Sequence, residues 1–137
     1  MSLNRFVESA TETRLPFEEV VAFCQSEGMS LHDFADGFAI YVANAYLAGG
    51  MDFERGDTAM NSLFALMVSE PFLKRTDGMI PDVAFAIYEA FDQGEYQHPN
   101  DLPTDNMEEK YTRPMLKEAL SSQMLRDEAR DSGGHRQ

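Results

Sequence analysis

Between Phe38 and Ala48 the only strongly polar side chain is that of Asn44. A helix apolar around its whole circumference has to be covered on most sides, so a chain that contains one must fold around it. The limits of this helix stand in the sequence beside it. Ser30 occupies an N-cap position with Asp33 three residues on, close to a capping box, and Gly49-Gly50 interrupts the pattern at the other end. Leu31, Phe34, Ala35, Phe38, Tyr41, Val42, Ala45 and Tyr46 hold the three-four spacing, so residues 31–48 are read as a central hydrophobic helix.

The flanking segments repeat that spacing. Pro16 suits a first helical turn, Phe17, Val20, Val21 and Cys24 share one face, and Gly28 is a C-terminal stop. Asp52 is expected to cap a third helix whose stripe is Phe53, Met60, Leu63, Phe64 and Met67, with Pro71 and Thr76-Asp77-Gly78 ending the segment. Pro81 and Asp82 open a fourth, with Val83, Ala84, Ile87, Ala90 and Phe91 inward and Gly94 as its stop. Thr112 is expected to cap a fifth, carrying Pro114 in its first turn and Met115, Leu116, Ala119, Leu120 and Met124 along one side. Residues 1–15 read as a short helix or arm. No stretch alternates apolar and polar over the length of a strand.

With 137 residues the chain suggests one domain. A domain of this size buries roughly 70% of its unfolded surface and needs no staple. The expected fold is all-α: a single-domain antiparallel bundle of four to five helices over residues 1–125, followed by a polar flexible tail at 126–137.

Charge narrows function. The formal net charge is −13, from 24 acids and 11 bases. Nucleic-acid binding depends on Lys and Arg displacing counterions from phosphates, so DNA, RNA and anionic membranes are expected to be repelled. The helix–turn–helix spacing of 17–27 and 31–48 does not rescue a DNA reader, because the second helix carries no Lys or Arg. A basic partner, in contrast, would be steered in. The acids are also unevenly placed. No Lys or Arg occurs between Arg14 and Arg55, nor between Arg75 and Lys110, and the second gap holds Asp77, Asp82, Glu89, Asp92, Glu95, Asp101, Asp105, Glu108 and Glu109. An even solubility coat needs no such gaps, which favours an acidic face with a use.

The residues that could carry chemistry are few. Cys24 is the single cysteine, which excludes an intramolecular disulfide, and its place on the Phe17–Val20–Val21 stripe marks it as a buried small hydrophobe. His32, Asp33 and Asp36 are the best metal-like cluster, yet acids at a helix N-terminus are stabilised by the dipole without any metal. Paired Glu-x-x-His motifs and His-Glu-x-x-His are both missing, and no glycine-rich phosphate loop follows a strand. No catalytic residue, metal site or cofactor is therefore expected. No apolar run reaches the ~20 residues of a membrane helix or resembles a signal peptide, and a reducing cytoplasm is the expected setting. The connection after the fourth helix stands apart. Tyr96 and His98 sit among Asp92, Glu95, Asp101 and Asp105, and aromatics among charges suit a partner-binding site.

Two segments carry a resemblance. They are Asp52-Phe53-Glu54 leading to Ala59-Met60-Asn61-Ser62-Leu63-Phe64, and Ala90-Phe91-Asp92-Gln93-Gly94-Glu95-Tyr96 followed by Glu108-Glu109-Lys110-Tyr111-Thr112-Arg113-Pro114. They resemble small acidic helical proteins of bacteria, some of them similar to colicin-type or polymorphic-toxin immunity proteins. The resemblance covers residues 38–120 and implies a cytoplasmic antidote that binds a basic toxin domain. It supplies no residue-by-residue binding motif. The first expectation is thus a non-enzymatic, acidic protein-binding module, working by electrostatic steering and aromatic docking. Two alternatives stay open: a small carboxylate enzyme or metal-binding bundle using His32, and a homodimeric scaffold built on outward Phe85 and Tyr88.

Overall fold

The structure is a computed structural model that describes residues 2–134, with side chains as far as residue 124. It is all-helical. The α-helices are α1 (Leu3–Ala10), α2 (Phe17–Glu27), α3 (Leu31–Leu47), α4 (Phe53–Met67), α5 (Glu70–Arg75), α6 (Asp82–Gln93) and α7 (Arg113–Gly134), the last entered through a π-helical turn, Glu108–Thr112. The described residues thus form seven α-helices where the periodicity suggested four or five.

The central helix is where the sequence put it. Ser30 accepts a hydrogen bond from the Asp33 N–H at 3.0 Å, and Asp52 does the same for the Arg55 N–H at 2.8 Å. Gly28 closes α2 with φ 63°, a left-handed conformation that glycine adopts without strain. α3 buries Phe34, Phe38 and Val42 completely. Between them Ala35, Ala39 and Ala43, also fully buried, repeat every fourth residue and let α1, α4 and α6 pack close around the axis. At one end of the core Phe6 packs edge-on to Phe23 and Phe34; at the other, Tyr46, Phe53 and Phe91 meet.

Two readings are corrected. Pro71 does not end the third helix segment: it lies in the first turn of α5, and that short helix exists to deliver Phe72, fully buried, to the core. Thr112 is not an N-cap. It is buried inside the helical run, and its hydroxyl donates to the Ala90 carbonyl at 2.7 Å. The Arg113 N–H reaches back five residues to the Glu108 carbonyl, and Pro114 has no N–H to offer Lys110, so the backbone widens into a π turn there. Beyond it α7 carries the backbone to Gly134, through most of the segment assigned to a tail; residues 135–137 lie outside the described part.

α6 receives its cap from another helix. Its N-cap position is Pro81, which has no side chain able to accept a bond, and the Asp36 carboxylate of α3 accepts from the Ala84 N–H at 2.9 Å instead. Burial pushes the Asp36 carboxyl up, and the Ala84 amide works against that shift. Among the described residues no helix is long and apolar enough to cross a membrane.

Candidate functional site

The site begins with a contact between α4 and α6. The Gly56 backbone lies against the Phe91 ring: a Cβ at residue 56 would come within 2.8 Å of Phe91 Cε1, closer than such atoms approach. Just past α6, a Cβ on Gly94 would meet Thr112 Oγ1 at 2.1 Å and Phe53 Cε2 at 3.0 Å. Three of these pinned residues are directly followed by the acids of the site. Asp57 follows Gly56, Asp92 follows Phe91 and Glu95 follows Gly94. Apolar packing therefore holds three carboxylates together that would otherwise move apart.

Their electrostatics follow from that packing. Asp57 Oδ1 is enclosed with no hydrogen-bond partner. Burial, then the charge and carboxyl of Glu95, then the charge of Asp92 push the Asp57 carboxyl up to about 7, with Asn61 opposing. Glu95 is also raised, mainly by burial. Asp57 is consequently only partly ionised near neutral pH, and its titration is tied to that of Glu95. The ion pairs among the described residues involve Glu70, Asp101, Asp105 and Glu109, and none reaches this trio.

The partner-binding residues expected from the sequence divide into two groups. Asp92 and Glu95 belong to the trio. Asp101 and Asp105 serve the loop itself. The Asp101 side chain is fully shielded from solvent, bonded to Lys110, to the Tyr111 hydroxyl at 2.7 Å and to the His98 N–H at 2.8 Å. Desolvation works to raise its pKa, but Lys110, Tyr111 and the His98 amide outweigh it and bring the carboxyl down to about 2. Asp105 accepts from the Leu102 N–H at 2.8 Å and from Lys110 at 3.2 Å. His98 donates its Nε2–H to the Gln93 carbonyl at 3.1 Å and is flanked by the rings of Tyr96 and Tyr111. Of Tyr96, His98, Asp101 and Asp105, Tyr96, 48% exposed, is the one left open to a partner; Leu102 in the same loop is 63% exposed.

Sequence reasoning missed Asp57, Asn61 and Phe64 as site residues. The signal was there, since Asp57, Asn61, Phe64 and Val68 lie on one face of α4 at helical spacing. Phe85, Tyr88, Asp92 and Glu95 do the same along α6 and the turn after it. The two helices run antiparallel, as the Phe53–Phe91 and Phe64–Tyr88 contacts show. The two rows therefore match end for end. Phe64 stacks on Tyr88 with centroids 4.1 Å apart and planes 9° from parallel, and Phe85 sits beside both. Burial, then Asp92, Glu95 and Asp57, raise the Tyr88 pKa, which places this aromatic end next to the acids.

Other candidates contribute less. Cys24 is buried, its thiol faces the Ser30 carbonyl at 4.0 Å, and burial pushes it up, away from the thiolate a nucleophile needs. Asp36, one of the metal-like trio, is engaged in capping α6. No group of three His, Cys, Asp or Glu among the described residues has the geometry to hold a metal ion. No protein-family model, curated protein or solved structure matches this chain.

Proposed function

We propose that this chain is a non-enzymatic protein-binding module for a basic partner. The observation that carries the reading is the carboxylate trio of Asp57, Asp92 and Glu95, held together by the Gly56–Phe91 and Gly94–Thr112 contacts and lacking any ion pair among the described residues. A fold that only needed solubility gains nothing from crowding acids until one of them resists ionising, whereas a guanidinium or ammonium arriving there would let all three ionise. The net charge of −13 steers such a partner in, and the trio gives it a place to settle. The resemblance of residues 38–120 to immunity proteins makes a basic toxin domain the first partner to try.

The test is capture from bacterial lysate followed by measured binding. The retained protein is expected to be basic, to be released steeply by salt, and to bind the triple variant Asp57→Asn, Asp92→Asn, Glu95→Gln about tenfold more weakly. Retained proteins no more basic than background, or a triple variant that binds like the parent, defeat the reading.

A further inference from the structure

We infer that the matched rows on α4 and α6 form the docking surface, and that their occupant is an amphipathic segment of a basic partner, apolar at one end and bearing Arg or Lys at the other. This inference rests on the reading just given and adds the face and the chemistry of its occupant. The surface is graded. At one end lie Val68, 40% exposed, and Phe85, 37% exposed, beside the Phe64–Tyr88 stack; at the other lie Asp57, Asp92 and Glu95. An exposed apolar patch that meets a rim of one charge sign marks an interaction site. Tyr88, stacked on Phe64, lies one helical turn before Asp92 on α6, so a cation neutralising the acids is also beside an aromatic ring.

Three of the cations on the described residues are engaged elsewhere. Arg75 lies over Phe17, Arg113 over Tyr46, and Lys110 over Tyr111. A second copy is the competing occupant, since apolar residues alone would suit a two-fold contact. Charge argues against it. Pairing two such faces would bring two carboxylate trios into one interface between chains that each carry −13. A cationic segment satisfies both ends at once.

The experiment places the photo-reactive residue p-benzoylphenylalanine at Phe85, and separately at Glu18 on α2, in the full chain expressed in its own cells. The cross-linked partner segment is identified by mass spectrometry and resynthesised as the binding probe. The expected result is a cross-link from residue 85 and not from 18, to a segment with Lys or Arg beside apolar residues. The resynthesised peptide should lose about tenfold in affinity against Tyr88→Ala and against the triple carboxylate variant. Circular dichroism and Tm of each variant confirm that it folds, and Val68→Ser provides a second, milder probe of the apolar end. A residue-85 cross-link to another copy of this chain, or to a segment without a basic residue, overturns the inference. So does unchanged peptide affinity in both variants. A basic partner cross-linked from residue 18 but not 85 overturns the docking face and leaves the proposed function standing, whereas capture of no basic protein at either position ends both.

Discussion

Gly56 presses its backbone onto the ring of Phe91, leaving no room for a β-carbon between α4 and α6. That contact sets the spacing of the two helices, and with it the separation of Asp57 from Asp92 and Glu95. Gly56→Ala is expected to force the helices apart. Overpacking of this kind costs about 1–3 kcal/mol, and the better helix propensity of Ala returns at most about 1 kcal/mol. Urea denaturation should show a net loss of about 1–2 kcal/mol; an unchanged midpoint would mean the crossing is looser than described.

The raised Asp57 carboxyl makes stability depend on pH. Its folded value is about 7, against about 3.9 for an unfolded aspartate. Between these values the folded state binds more protons than the unfolded one, so stability falls as pH rises from about 4 to about 7 and is level above. Asp57→Asn cannot ionise and should remove that slope. Solvent reaches this partly exposed site, so the gain at pH 8 is modest, about 1 kcal/mol or a few degrees of Tm. At pH 4 parent and variant should agree. Thermal melts across that range check it, and identical pH profiles would count against the raised carboxyl.

Asp101 organises the loop after α6 through three donors at once. Asp101→Ala leaves the His98 amide, the Tyr111 hydroxyl and Lys110 without their shared acceptor. Hydrogen exchange at the His98 amide should accelerate by about tenfold, the factor for a loss of about 1.4 kcal/mol of local protection. The Arg55 amide, held by Asp52, should be unaffected. Unchanged exchange at His98 would show that the loop is held by its aromatic contacts alone.

Asp36 caps α6 from across the core. Asp36→Ala orphans the Ala84 N–H and should destabilise the fold by about 1 kcal/mol, the usual loss for a removed cap. Exchange should rise in the first turn of α6 and not at its Gln93 end. Uniform loosening of the whole domain would point to a packing role for Asp36 instead.

Much of the architecture was legible because helices are local objects. The Ser30 and Asp52 caps, the Gly28 stop and the apolar run of 38–48 each act within a few residues, and each is found as expected. Phe72 was harder to place, because a single buried ring on a short helix leaves no periodic trace. The reading of Thr112 failed for a different reason. Its sequence context is that of a cap, and only the Ala90 carbonyl, 22 residues away, turns its hydroxyl inward.

The sequence by itself determined an all-helical chain, its central helix and the two base-free stretches of acid, since periodicity, capping and charge are written residue by residue. Tertiary structure alone decided which acids act together. Asp92 and Asp101 are near neighbours in the chain, yet one joins Asp57 from another helix while the other is enclosed by Lys110 and Tyr111. A carboxylate's surroundings are set by what packs beside it, and that was fixed by the Gly56–Phe91 and Gly94–Thr112 contacts, which no local pattern announces.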